Sequence, residues 1–172
     1  LSISYNDDKV KLSWTGVTNN NSTQFGDFGY DLYFNDGIEE KYLGFTVKTS
    51  YEYETKEPYG KYIVKSSYKN NKTVQSSGIS KTFNAPNNED LEISLIGNST
   101  IKLNLNEPYI EDGLNILYKK ELITKAKTVT TIKFNEETVK DIKTDIAGSY
   151  VIEYKVTYKT REKTITRNII IN

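Results

Sequence analysis

Very few side chains in this sequence are spaced for chemistry. Ser66-Ser67-Tyr68-Lys69 has the Ser-x-x-Lys spacing in which a lysine one helical turn away activates a serine nucleophile. Lys48-Thr49-Ser50 resembles the Lys-Thr-Gly strand that borders such sites. That chemistry needs the serine at the start of a helix. Here Ser66 lies in the alternating run Gly60–Lys69, where a period of two sends Ser66 and Lys69 to opposite faces. The two motifs also occur in reversed order along the chain.

Adjacent carboxylates occur at Asp7-Asp8, Glu39-Glu40, Glu111-Asp112 and Glu136-Glu137. A glycosidase needs two carboxyls facing each other across about 5–9 Å, whereas neighbours in a strand or turn point apart. These pairs therefore read as solvated turn residues. No Asp-x-Asp-x-Asp-Gly loop offers convergent oxygens for calcium. The chain has no Cys and no His, which removes disulfides, thiolate zinc sites and the commonest general base. The reading assigns no catalytic, cofactor-binding or metal-ligating residue.

The surplus is aromatic, with 14 Tyr and 6 Phe, residue types that pleated surfaces favour, so most are expected to pack within sheets. Phe25, Phe28 and Tyr109 fall in expected loops, where rings could form a platform for a sugar or a protein partner. Asn20, Asn21, Asn71 and Asn98 match the Asn-x-Ser/Thr acceptor pattern, as expected by chance in a chain rich in Asn and Thr. The lysines of the 155–163 stretch read as protection of a sheet edge.

These residues have to be positioned by strands. Gly60-Lys-Tyr62-Ile-Val64 and Gly148-Ser-Tyr150-Val-Ile152 repeat one pattern 88 positions apart: a glycine opens a strand, a tyrosine follows, and packing residues then alternate with polar ones. In the first half, strands are expected at Leu1–Tyr5, Lys9–Thr15, Tyr30–Phe34, Lys41–Phe45, Thr49–Tyr53, Gly60–Lys69 and Val74–Phe83. Residues 16–29 form a long loop, and Asn35-Asp36-Gly37 is a hairpin turn. Pro86 and its polar neighbours mark a boundary.

The second half resumes with Leu91–Leu95, Thr100–Leu105, Lys127–Phe134, Gly148–Lys159 and Glu162–Ile171. Tyr118–Thr124 reads as a helical turn or a short edge strand, and Glu136–Ile142 as a short turn of helix. The fold class is all-β: two β-sandwiches in tandem over 1–84 and 91–172, joined by a linker at 85–90. The expected cores are Val10, Leu12, Trp14, Leu32, Tyr62 and Val64, then Ile101, Leu103, Ile132, Tyr150, Ile152 and Tyr154.

Lys+Arg and Asp+Glu are equal at 23 each, with 10 of each before Ala85 and 13 of each after it. That balance gives no footprint for nucleic acid or an acidic membrane. The chain has only two Arg, and its wealth of Asn, Lys, Ile and Tyr looks like the codon bias of an AT-rich genome. No window reaches the roughly 18 apolar residues of a membrane span. The absence of Met leads us to expect a fragment or a processed product.

Trp14, Tyr30-Asp31-Leu32 and Glu57-Pro58-Tyr59-Gly60-Lys61-Tyr62 give residues 1–84 a resemblance to a fibronectin type III domain. In that family the last tyrosine packs as a corner whose hydroxyl ties down the preceding loop. Gly97, Glu107-Pro108-Tyr109-Ile110-Glu111-Asp112-Gly113, Gly148–Tyr154 and Arg167–Ile171 give residues 91–172 a resemblance to bacterial immunoglobulin-like repeats. That family often follows its Pro-Tyr-x-Asp-x-Gly turn with an Asp-rich segment; Leu114–Lys125 has no acidic cluster. Together the halves resemble the C-terminal extension of clostridial class A penicillin-binding proteins, and also the stalks of Gram-positive surface adhesins.

The resemblance implies a non-catalytic, extracellular, monomeric accessory or spacer region at the cell wall. A rod of roughly 70–80 Å is expected from strand lengths. Its partners would be cell-wall glycan or another surface protein. The alternative it implies is an adhesin-type module that binds a host protein or glycan.

Overall fold

The computed structural model describes residues 1–19, 25–69 and 71–172. Its internal contacts divide the chain into two compact units, Leu1–Ala85 and Pro86–Asn172. Almost all regular structure is β.

In the N-terminal unit β1 (Ser2–Asn6), β2 (Lys9–Ser13) and β5 (Ser50–Glu54) form an antiparallel sheet in the order β1-β2-β5. The second sheet is built on β6 (Gly60–Tyr68), with β3 (Phe28–Asn35) on one side and β4 (Glu40–Thr46) beyond it. The run expected as one strand at Val74–Phe83 is two, β7 (Asn71–Gln75) and β8 (Ile79–Phe83), both paired to β6. Gly78, at φ +84°, breaks the run: a Cβ there would lie 2.7 Å from the Lys65 side chain.

Alternation builds the core. Val10 and Leu12 of β2 are fully buried while Lys9 and Lys11 beside them are exposed. They pack with Trp14, with Tyr30, Leu32 and Phe34 of β3, and with Tyr62 and Val64 of β6, closing a sandwich.

The C-terminal unit has a five-stranded sheet ordered β10 (Thr100–Leu103), β16 (Arg161–Ile171), β15 (Gly148–Tyr158), β13 (Lys127–Phe134), β14 (Glu137–Val139). Facing it is a three-stranded sheet ordered β12 (Glu121–Leu122), β11 (Leu114–Tyr118), β9 (Leu91–Leu95). β10 runs parallel to β16, and the other pairs in this unit are antiparallel. Of the two readings of Tyr118–Thr124 the short edge strand is found, with Glu121–Leu122 returning along β11, whereas the helical turn expected over Glu136–Ile142 is replaced by Glu137–Val139 returning along β13. Asn135 and Glu136, at φ 48° and 71°, make the hairpin turn that a helix would have replaced. Of the expected core residues, Leu103, Tyr150, Ile152 and Tyr154 are buried, while Ile101 and Ile132 are half-buried against them.

The repeat seen in the sequence has a packing cause. A Cβ on Gly60 would lie 2.4 Å from the Phe34 ring, and one on Gly148 would lie 2.5 Å from the Phe134 ring. Each glycine leaves room for a phenylalanine from the neighbouring strand. That ring then stacks on the tyrosine two residues later, at 4.9 Å for Phe34–Tyr62 and 4.6 Å for Phe134–Tyr150. Both tyrosine hydroxyls reach back to backbone: Tyr62 donates to the Pro58 carbonyl at 2.6 Å and Tyr150 to the Lys143 carbonyl at 3.1 Å.

Trp14→Ala and Tyr150→Ala should each cost roughly 3–5 kcal/mol, as large aromatic truncations in a core do. Calorimetry should show two transitions, each variant lowering only that of its own unit.

Candidate functional site

The structure has two polar clusters of note, one in each unit. In the C-terminal unit the cluster is built around Arg167, which has no exposed surface. Alternation along β16 turns Arg167 to the same face as the buried Ile169 and Ile171, so its guanidinium is carried into the interior. Its Nη2 donates to the Ile96 carbonyl at 2.5 Å, with the Gly113 carbonyl at 3.4 Å. Its Nη1 lies 3.2 Å from Glu111 Oε1 and 3.8 Å from Asp112 Oδ2.

Glu111 and Asp112 are exposed, as expected, but both also reach the buried Arg167. Two adjacent carboxylates that would point apart in a strand instead wrap one guanidinium, because Gly113 at φ +89° bends the segment around it. Gly97, at φ +77°, leaves room for the clasp; a Cβ there would lie 2.6 Å from Asp112 Oδ2. Glu111 also accepts the Tyr109 hydroxyl and the Gly113 N–H, the latter at 2.8 Å.

Burial works against the Glu111 charge. The Tyr109 and Gly113 hydrogen bonds and the Arg167 charge outweigh it and hold the carboxyl below its ordinary value. Burial first, and then the hydrogen bond to Glu111, push the Tyr109 hydroxyl up to about 12. Burial likewise raises Tyr154, whose hydroxyl is near Glu111 yet has no hydrogen-bond partner among the described residues. Tyr109, Glu111, Ile132, Asp141, Ile152 and Tyr154 are among the residues lining a cavity of about 420 Å³.

The N-terminal cluster lies on the outer face of β3 and β6. Asp31, only 2% exposed, accepts hydrogen bonds from the Tyr42 hydroxyl at 2.8 Å, the Ser67 hydroxyl at 2.6 Å and Gln75 Nε2 at 2.5 Å. Tyr33 and Tyr42 lie beside it with ring centroids 5.4 Å apart. Lys65 Nζ lies 4.8 Å from the centre of the Tyr33 ring and Lys72 Nζ 3.6 Å from that of Tyr42. Burial, then the hydrogen bond to Asp31, raises the Tyr42 pKa.

The other motifs are scattered. Ser66 is inside β6, its N–H bonded to Ser76 Oγ at 3.0 Å, and Lys69 is exposed beyond the strand end. Asp7 and Asp8, at φ 48° and 58°, form the β1–β2 turn. Glu39 and Glu40 are exposed. Phe28, in β3 rather than a loop, packs on Tyr30 and Tyr68; Phe25, 40% exposed, packs on Tyr68; and Tyr109 packs against the C-terminal core. Asn71 opens β7 and Asn98 is exposed in the β9–β10 turn, while Asn20 and Asn21 lie outside the described residues.

Sequence reasoning missed the two arginines, which it took as codon bias. Both are buried: Arg161, 3% exposed, reaches Asp90 at 2.8 Å with its guanidinium carbon 5.0 Å from the centre of the Tyr118 ring. The available signal was their rarity against 21 lysines, since Arg suits a buried, multiply bonded cation better than Lys does.

Arg167→Met should destabilise the C-terminal unit by about 3 kcal/mol, moderated because Glu111 can turn to water. The Glu111 pKa is depressed on folding, so its contribution is complete above about pH 4.5, the ordinary value, and is lost as pH falls through the folded value. Acid denaturation of Glu111→Gln should therefore show a shallower loss of stability below pH 4.5 than the parent chain.

No protein-family model matches the chain, and no curated protein matches it.

Proposed function

We propose that this chain is a non-catalytic spacer region of a larger exported protein of a Gram-positive cell envelope, one that holds its neighbour at a set distance in the wall. The observation that carries this reading is how the segment entering the C-terminal unit meets its longest strands. Asn88 and Asp90 bond to Glu162 and Arg161 at the first residues of β16, which then runs on to Ile171. The backbone thus crosses the unit lengthwise, over 11 residues of extended strand, or about 35 Å. The fibronectin-like and immunoglobulin-like resemblances of the two halves agree with such a role. A penicillin-binding protein working in peptidoglycan synthesis is a parent of this type, its catalysis then lying in another part of that protein.

One observation favours the rival reading of an adhesin-type binding module: the Tyr33–Tyr42 pair with Lys65 and Lys72 on an outer sheet face. Sheet faces bearing aromatic rings and cations suit glycans or protein partners.

Small-angle scattering of the isolated chain tests the spacer. A radius of gyration above about 20 Å is expected for two units in series. A value near 16 Å, that of one globule of this length, would overturn it. Saturable binding to wall polysaccharide or host matrix that Tyr42→Ala abolishes would favour the rival instead.

A further inference from the structure

In the C-terminal unit a five-stranded sheet is faced by only three strands. The cavity of about 420 Å³ lies over β13 and β15, which contribute Thr130, Ile132, Ile152 and Tyr154, and it is completed by residues around 109–111 and 141–144. Its size falls within the range of small-ligand sites.

Three isoleucines (Ile132, Ile142 and Ile152) give it aliphatic walls. Its charged groups are of one sign. Glu111 and Asp141 supply carboxylates, and no lysine or arginine lines it. Lys140 and Lys143, next to Asp141 in sequence, line a neighbouring cavity. The Arg167 guanidinium behind Glu111 is shared with Asp112, so two carboxylates face one cation and Asp141 lies outside that pairing. The charged groups on the cavity lining are therefore negative, beside an aliphatic surface. The second feature is the Tyr154 hydroxyl, 4% exposed, lining the cavity with no hydrogen-bond partner. A buried hydroxyl left unbonded is costly, and its oxygen can accept from an incoming donor.

We infer that this cavity binds a primary ammonium group carried on an aliphatic stem. The stem lies along the isoleucines, the ammonium donates to the Tyr154 oxygen, and the Asp141 and Glu111 carboxylates balance its charge. A bare metal ion fits less well, because the described residues hold no group of three or more carboxylates placed to ligate one. An uncharged polyol would leave that negative charge unanswered. The site is independent of the spacer role, since neither needs the other.

Titration of the full chain with hexylammonium, with Nα-acetyl-lysine methylamide and with hexanol, followed by amide correlation NMR, tests it. Hexylammonium should give saturable shifts of millimolar affinity at 130–132 and 141–144, and hexanol should not. Asp141 is exposed and outside the Arg167 clasp, so Asp141→Asn should fold normally and weaken binding roughly fivefold. Thr130→Trp, from an exposed position on the rim, should block it. Saturation by the acetyl-lysine probe as well would identify a lysine side chain of a peptide as an acceptable source; saturation by hexylammonium alone would identify a free amine. Equal shifts with hexanol, shifts unchanged in both variants, or no saturation would each overturn the inference.

Discussion

A guanidinium sealed from water is the constraint around which the C-terminal unit is arranged. A buried cation is tolerable only if every direction it faces offers an acceptor. Arg167 meets most of that demand: Nη2 donates to two carbonyls from the ends of turns and Nη1 is ion-paired with two carboxylates from one loop, while Nε is left without a hydrogen-bond partner among the described residues. Two chain segments far from it in sequence are thereby fixed to one strand. The turn after β9 supplies Ile96, the segment before β11 supplies Glu111 to Gly113, and β16 supplies the cation. Remove the charge and the loops lose the reason for their path. The glycines at 97 and 113 follow from the same demand, because the clasp closes only where the backbone can take a positive φ.

The N-terminal unit meets a similar problem with the opposite charge. Asp31 is buried on a sheet face and is answered by hydroxyls and an amide rather than by a cation. Neutral donors suffice because three of them converge on one carboxylate. Tyrosine serves this purpose repeatedly. Tyr62 and Tyr150 each bury a ring and place the hydroxyl on a backbone carbonyl, while Tyr42 and Tyr109, less buried, place theirs on carboxylates. In a chain without Cys, these ring-and-hydroxyl ties fasten loops to sheets.

Much of this was legible in the sequence where the physics is local. The period-2 runs placed Val10, Leu12, Tyr62, Tyr150 and Ile152 correctly, because alternation alone decides which face is buried. Glycine followed by tyrosine marked two strand openings, although the phenylalanine that explains each glycine lies 26 residues earlier in one case and 14 in the other. What failed was non-local. The Val74–Phe83 run looked continuous because its break depends on the side chain of Lys65 in another strand. The pairing of Glu111 and Asp112 with Arg167 was missed because that partner lies over 50 residues away, and the codon-bias explanation of scarce arginine drew attention from the very residues that mattered. The candidate cavity was invisible for the same reason: it exists only because one sheet is wider than the other.

The placement of β16 has a mechanical corollary. It is held along most of its length by β15 and at its far end by β10, while the two ends of the unit sit at its opposite tips. Tension transmitted through the backbone would act parallel to the strand, straining many ladder hydrogen bonds together instead of unzipping them one after another. Bonds loaded together in that way resist extension better than the same bonds opened in sequence.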